Sequence, residues 1–304
     1  MPIGGRMEDY KMKIKRSAGE RVFDLFNYLF MIFAAVISVY PFLYIVFASL
    51  SDPITLIKHK GILWRPAGFS LAGYKAVLQN HEIFIGYANT AFYVVVGTAL
   101  SVIITAMLSY PLALQRFRYR KVFLKLIVFT LFFSAGMIPT YMIVKMLGLL
   151  DTRWSVIAPN IIITYNVMIM RTAYLAVPPS LEESARLDGA NDMQTFFRIM
   201  LPSVKGTIAV LVLYQAVANW NSWFSALLYI KDRTKYPLQL FLREILIQSS
   251  SQEMGNYSIN ADSAFLDEIV KHATTVVATV PMLVIYPFAQ KYFIKGAMVG
   301  AVKE

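Results

Sequence analysis

Residues 176–205 hold the side chains whose spacing carries the most chemical information. Ser180 stands three residues before Glu183. In that pattern the hydroxyl accepts from one free amide at a helix start and the carboxylate reaches back to another. Glu182, Glu183, Ser184 and Ala185 then lead to Asp188, Gly189 and Ala190. Gly189 suits the left-handed turn that ends a helix, which predicts a short helix over 181–188. Asp192 or Asn191 can cap a second helix through Met200, with Phe196, Phe197 and Met200 on its face, Ile199 beside them and Pro202 as its stop. A capped helix–turn–helix with outward carboxylates suits docking to a protein partner, and no convergent acid, base and nucleophile accompanies it. The chain has 0 Cys and 3 His (His59, His81 and His272), too scattered for a metal cluster. It has no Gly-Lys pair and hence no phosphate-cradling loop, so no cofactor is expected in this chain. Any ATP must be hydrolysed by another one.

A second set of polar groups lies in apolar surroundings. Asn160, Thr164 and Met168 share one helical face, with Arg171 just beyond. Gln215, Asn219 and Ser222 share another, with Tyr214, Trp220 and Trp223 close by. Amides and aromatic faces suit sugars, which offer hydroxyl edges and apolar ring faces. Hydrogen bonding between packed helices accounts for the same residues equally well. Both readings stand for Asn160, Thr164, Gln215, Asn219, Trp220 and Trp223 as lining of a translocation path.

The elements that position these groups are membrane helices. Residues 25–48, 83–114, 126–144, 154–170, 206–230 and 273–290 contain no Asp, Glu, Lys or Arg. The chain is 57% hydrophobic and 15% charged, against about 45–50% and 25% in soluble domains. A bilayer core needs about 20 apolar residues. This predicts an all-α membrane protein with six transmembrane helices and excludes a soluble enzyme. Alternating strands of about 10 residues, the mark of an outer-membrane barrel, are missing. The first stretch is too long for the apolar part of a signal peptide, roughly 7–15 residues.

Six spans place both termini on one side. Basic residues crowd the tail 1–23 and the connection 115–121, where the bias toward the cytoplasm is strongest, so both termini and 176–205 are expected to be cytoplasmic. The net charge of +11 is then a membrane-flank signature, not a nucleic-acid one. Segments 49–85 and 231–271 are expected outside. In the latter, Leu238, Phe241, Leu242, Ile245 and Leu246 form one apolar face after Pro237, expected at the membrane surface or against another subunit. Residues 249–251, with Gly255 and several Asn nearby, read as exposed loop. The whole chain, 1–304, reads as one transmembrane domain, with tails at 1–23 and 295–304. Pro41, Pro111, Pro139, Pro159, Pro281 and Pro287 fall inside the spans as tolerated kinks.

A connector between two spans needs only a few residues, whereas 176–205 spends thirty with explicit caps. A DNA-binding helix-turn-helix fits the pattern but not the tether between spans. A secondary transporter would need ionisable groups within its spans, and a channel would not need a capped dock. A secondary transporter or channel without an ATPase is therefore the weaker alternative.

Glu183-Ser184-Ala185, Gly189 and Ile199-x-Leu201-Pro202 reproduce the spacing of the EAA motif of permease subunits of binding-protein-dependent ABC importers. Ser184 replaces the second Ala, and Gly206 stands where many relatives have Pro. Asn219-Trp220-Asn221-Ser222-Trp223-Phe224 and Gln290-Lys291-Tyr292-Phe293-Ile294-Lys295-Gly296 resemble carbohydrate permeases of the MalG class. Met137-Ile138-Pro139-Thr140-Tyr141 and the stretch from Asp232 to Leu240 resemble a branch handling oligosaccharides, including alginate fragments. The resemblance covers residues 20–304. It implies the type I (MetI/MalG-like) permease fold with a cytoplasmic coupling helix in the bacterial plasma membrane, the inner one where there are two. It also implies a second homologous permease, two ATPase subunits that hold ATP and magnesium, an extracellular or periplasmic solute-binding protein, membrane lipid and a carbohydrate substrate, with no nucleic acid. In the family the segment matching 182–191 enters a cleft of the ATPase, with Glu183 as charged contact and Gly189 as turn, and the tail matching 296–304 reaches the ATPase pair.

Overall fold

The computed structural model describes residues 17–254 and 268–287, without the side chains of Ala18 and residues 248–254. The N-terminal tail and the C-terminal stretch from 288, including the Gln290–Gly296 motif, lie outside the described residues.

Helix α1, Ala18–Ser49, starts at a capping box: Ser17 Oγ accepts from the Glu20 amide at 3.2 Å and Glu20 Oε2 from the Ser17 amide at 2.8 Å. Its apolar side chains are exposed along its length; Phe23 and Phe30 are examples. Such a helix faces lipid or another chain. Short helices α2 (Pro53–Lys58) and α3 (Ala72–Gln79) lead into α4, His81–Ala113. Helix α4 is the centre of the molecule, packed on α8, α12 and α14. Many of its buried positions are small or polar: Gly86, Asn89, Thr90, Gly97, Thr98, Ser101, Thr105 and Ser109. Small residues let membrane helices approach closely. A Cβ at Gly86 would stand 2.9 Å from Leu238 Cα, and one at Gly97 2.9 Å from the Asn219 amide nitrogen.

Among the described residues three helices, α1, α4 and α15 (Glu268–Pro287), are long and apolar enough to cross a membrane unbroken. The other apolar stretches are interrupted. Helices α5 (Arg120–Phe132) and α6 (Met137–Met146) meet at 119° around Gly136, whose φ is +84°. Helix α7 (Trp154–Ile157) continues through Asn160 and meets α8 (Thr164–Leu175) at 50°, next to Pro159. Stretch 206–230 contains α12 (Lys205–Trp220), a break, and α13 (Phe224–Tyr229). At that break Asn221 Nδ2 donates to the Val217 carbonyl at 2.9 Å, a local bond that competes with helix continuation. Between α8 and α12 lie α9 (Pro179–Leu187), α10 (Asp192–Thr195) and α11 (Leu201–Ser203).

Helix α14, Leu238–Met254, differs from the sequence reading twice. Its apolar face is buried within this chain: Leu238 and Phe241 are 0% and 2% exposed, and Leu238 and Leu242 share a cluster with Ile83, Trp220 and Ala273. Residues 249–251 continue the helix where a loop was expected. Burial against α4 gives this helix a partner that local polarity does not reveal. The segment before it is pinned as well. Asn89 donates to the carbonyls of Thr234 and Tyr236 at 2.7 and 3.0 Å, Tyr93 to that of Lys235 at 2.7 Å, and the Leu238 amide to Thr90 Oγ1 at 2.8 Å. Asp151 accepts from the amides of Lys231 and Asp232 at 3.1 and 3.0 Å. Those two amides, Asp232 first, hold its carboxyl below the ordinary range.

Candidate functional site

The connection between α8 and α12 is a folded unit. Helix α9 begins with Pro179 at its first turn, a position where the missing N–H costs nothing. This start is earlier than expected and corrects the cap: Pro178 is the N-cap, no side chain caps the helix, and Ser180 and Glu183 form no capping box. The end is as expected. The Ala190 amide donates to Ala185 O at 2.9 Å and the Gly189 amide to Arg186 O at 3.0 Å, with Gly189 at φ +81°. That is a Schellman motif. Asn191 caps α10 in a reciprocal box with Gln194, at 2.8 and 2.9 Å.

Pro202 is not the stop the sequence suggested. A π turn over Phe196–Met200 carries the helix on into α11, and the Leu201 amide bonds to Phe196 O. The wider turn shifts the carbonyl that a proline ring would otherwise strike, so Pro202 lies within helix. Phe196 and Met200 point inward, packing with Tyr110, Met170, Tyr174, Val204 and Leu211. The Phe196 and Tyr110 rings are 5.2 Å apart.

Four charges clamp this unit to the turn between α4 and α5. Arg116 donates Nη1 and Nη2 to the two oxygens of Asp192 at 3.2 and 2.7 Å. Arg186 reaches Glu182 at 3.1 Å and Asp192 at 3.0 Å, and Arg116 approaches Glu182 at 3.6 Å. The Arg116 hydrogen bonds hold the Asp192 carboxyl below its ordinary range, and the same bonds raise the Arg116 guanidinium. The clamp fixes the roles of the acids. Glu182 turns inward to the arginines, and Ala185 is buried. Glu183, Ser184, Asp188 and Gly189 are exposed, and Ala190 is half-buried. Among the described residues Glu183 has no ion-pair partner. Leu181, Leu187, Met193 and Phe197 are exposed too, Leu187 by 90%. The unit therefore presents a free carboxylate among apolar side chains on a rigid base. Arg116 and Leu187 were missed by sequence reading; Arg116 lies sixty-six residues before Glu182, and only the fold pairs them.

The polar residues of the spans separate into two groups. Asn160, Gln215, Asn219 and Trp223 line one cavity of about 220 Å³, with Asn221 and Ser222. Gln215 is 2% exposed; its Nε2 donates to Asn160 O at 3.4 Å, and its Oε1 is buried without a partner among the described residues. Asn219 donates to Thr98 Oγ1 at 3.2 Å and covers Gly97, so it also joins α12 to α4. Thr164 and Trp220 are elsewhere. Thr164 shares a hydroxyl–hydroxyl bond of 2.9 Å with Thr130 on α5, and Trp220 packs against Tyr87 with rings 6.2 Å apart. A second cavity of about 400 Å³ shares Asn221 and Trp223 with the first and adds Gln239, Arg243, Thr275 and Thr279. Gln239 and Arg243, one turn apart on α14, were the sequence signal for it, hidden by attention to the apolar face of that helix.

The family described as "Binding-protein-dependent transport system inner membrane component" matches residues 1–299. The chain is 39% identical over 283 residues to the polygalacturonan/rhamnogalacturonan transport system permease protein YtcP of Bacillus subtilis (strain 168), covering 93% of this chain and 99% of that one. It is 40% identical over 284 residues to Protein LplC of the same organism, covering 93% and 95%. A solved bacterial ABC transporter involved in the import of the acidic polysaccharide alginate contains a chain that superposes with a TM-score of 0.83 at 31% identity, over 92% of this chain and 99% of that one.

Proposed function

The chain belongs to the binding-protein-dependent transport system inner membrane component family, and from that premise we propose that it is the membrane-spanning permease subunit of an ATP-driven importer of carbohydrate. Its substrate is an oligosaccharide or alginate-type fragment, in keeping with the names of YtcP and the alginate transporter. With a second permease it forms the translocation path. Two ATPase subunits hold ATP and magnesium, and a solute-binding protein delivers the sugar. The bent pairs α5–α6 and α7–α8 and the stretch carried by α12 complete six crossings with α1, α4 and α15, both termini are cytoplasmic, and 176–205 is the cytoplasmic coupling loop.

The observation that carries this reading is the exposed face of α9. It is held by the four-charge clamp and the Phe196 plug, so force on Glu183 and Leu187 passes into α12 through a unit that does not yield locally. Helix α12 in turn lines the cavity with Gln215 and Asn219. A nucleotide-driven movement of the ATPase would thereby reach the sugar path as a rigid-body movement.

The test is reconstitution. This chain, co-expressed with its second permease, ATPase and binding protein, should co-purify with the ATPase and give ATP-dependent uptake of oligosaccharide into proteoliposomes. Uptake that persists without the ATPase subunit would instead establish the uncoupled alternative.

A further inference from the structure

We propose that Arg243, stacked on Trp223 at the wall of the larger cavity, binds the carboxylate of an acidic sugar unit during passage and so selects uronate-containing oligosaccharides over neutral ones. This rests on the importer reading above.

The guanidinium lies 4.5 Å from the Trp223 ring centroid. That contact is with the ring alone, and among the described residues the guanidinium N–H groups make no hydrogen bond, so their fork is available to a carboxylate. Helix α14 aims it: Leu238 and Phe241 are buried against the chain, while Gln239 and Arg243 line the cavity with Leu242 and Leu246.

The neighbouring carboxylates are committed elsewhere. Glu244 and Glu82 both pair with Arg233, at 2.9 and 3.0 Å, and Glu268 pairs with His272 at 3.1 Å and Lys271 at 3.8 Å. Among the described residues no Asp or Glu lines this cavity and Arg243 has no ion-pair partner. A half-buried cation beside an aromatic ring, without a counter-charge among those residues, fits a ligand that brings its own anion.

The rest of the wall is mixed: Leu242, Leu246 and Ala278 offer apolar surface for a sugar ring, and threonines offer oxygens. Thr275 and Thr279 donate their hydroxyl hydrogens to carbonyls one turn back, at 2.8 and 2.7 Å, which leaves their oxygens to accept from sugar hydroxyls. The cavity adjoins the one lined by Asn160 and Gln215 through Asn221 and Trp223. One face of Trp223 can hold a sugar ring while Arg243 holds the acid.

The complete importer, with its binding protein, is reconstituted in proteoliposomes and offered trigalacturonate or its carboxyl-reduced neutral counterpart. Arg243→Gln is expected to lower trigalacturonate uptake about tenfold or more, the scale of a lost charge-assisted fork, and to change neutral uptake less than about twofold. Because each variant is compared with wild type on each probe, the preference of the binding protein cancels. Arg243→Lys keeps the charge without the fork and should show a smaller loss confined to the acidic probe, which keeps the test alive where the Gln variant does not assemble. Equal losses on both probes, or none on either, would overturn the proposal while leaving the importer reading intact. A wild-type importer that carries the neutral probe as well as or better than trigalacturonate, or carries neither, would likewise overturn the proposal while leaving the importer reading intact.

Discussion

Arg116 and Asp192 are joined by two parallel hydrogen bonds, at 3.2 and 2.7 Å, although seventy-six residues separate them. Through this fork the turn after α4 grips the start of α10. Helix α9 contributes Glu182 and Arg186 to the same cluster. The unit between α8 and α12 is thus anchored by side chains on three segments, and Glu183 and Leu187 are left outward.

Replacing Arg116 with Ala should loosen the loop without unfolding the membrane helices. Both partners are largely exposed, so the cost in stability is small, roughly 0.2–1 kcal/mol. Hydrogen exchange of residues 179–203 should nevertheless rise, and ATPase coupling should fall. The Asp192 carboxyl is depressed in the folded state. Its contribution is complete above the unfolded carboxyl value of about 3.9 and is lost only as pH falls through the lower folded value. Exchange in this loop should therefore be flat with acidity from about pH 5 to 8 after correction for intrinsic rates. A transition near neutrality would show that the fork does not hold the loop.

Gly189 and Glu183 separate conformation from contact. A Cβ at Gly189 would meet nothing within 4 Å, so glycine is required there only by its φ of +81°. Val should cost about 1–2 kcal/mol in that backbone state and misdirect the loop, whereas Asn, which tolerates it, should retain most of the coupling. Glu183 caps nothing, so Glu183→Ala should leave the loop's exchange pattern unchanged and still weaken ATPase attachment. Sugar-stimulated ATP hydrolysis by the assembled transporter measures both. Wild-type hydrolysis in the Val and Ala variants alike would sink the docking assignment.

Gln215 offers a way to tell path from packing. Its Oε1 is buried without a partner among the described residues, an arrangement that costs about 1–3 kcal/mol. Gln215→Met should leave thermal stability unchanged or raised and should lower sugar uptake, because a hydroxyl in transit loses its acceptor. A variant that melts earlier but transports normally would show that this amide serves helix packing alone.

The orientation can be read with single cysteines, since the chain has 0 of its own. A cysteine at Lys60 should react with an impermeant reagent in intact cells, and one at Ser17 should react only after lysis, because the basic tail resists translocation. Labelling in the opposite sense would invert the topology.

The sequence by itself determined the membrane class, the family and the turn at Gly189. These depend on local properties: runs of uncharged residues, motif spacing and a glycine at a left-handed position. It did not determine where helices break or what they touch. The stretches 126–144, 154–170 and 206–230 are apolar enough to span, yet each is interrupted, because a break depends on how Gly136, Pro159 and Asn221 fit among their neighbours. The start of α9 moved to Pro179 because a proline is accommodated in a first turn as readily as a serine caps one, and the continuing chain settles the choice. Glu182 and Glu183 are adjacent and chemically alike; Arg186 one turn on and Arg116 from a distant segment turn one inward and leave the other outward. The same holds for α14, whose apolar stripe read as a membrane-surface helix until α4 supplied Gly86 as the place where Leu238 could come close. Contacts between distant segments depend on the summed packing of both, and that information is not carried by the spacing of either one.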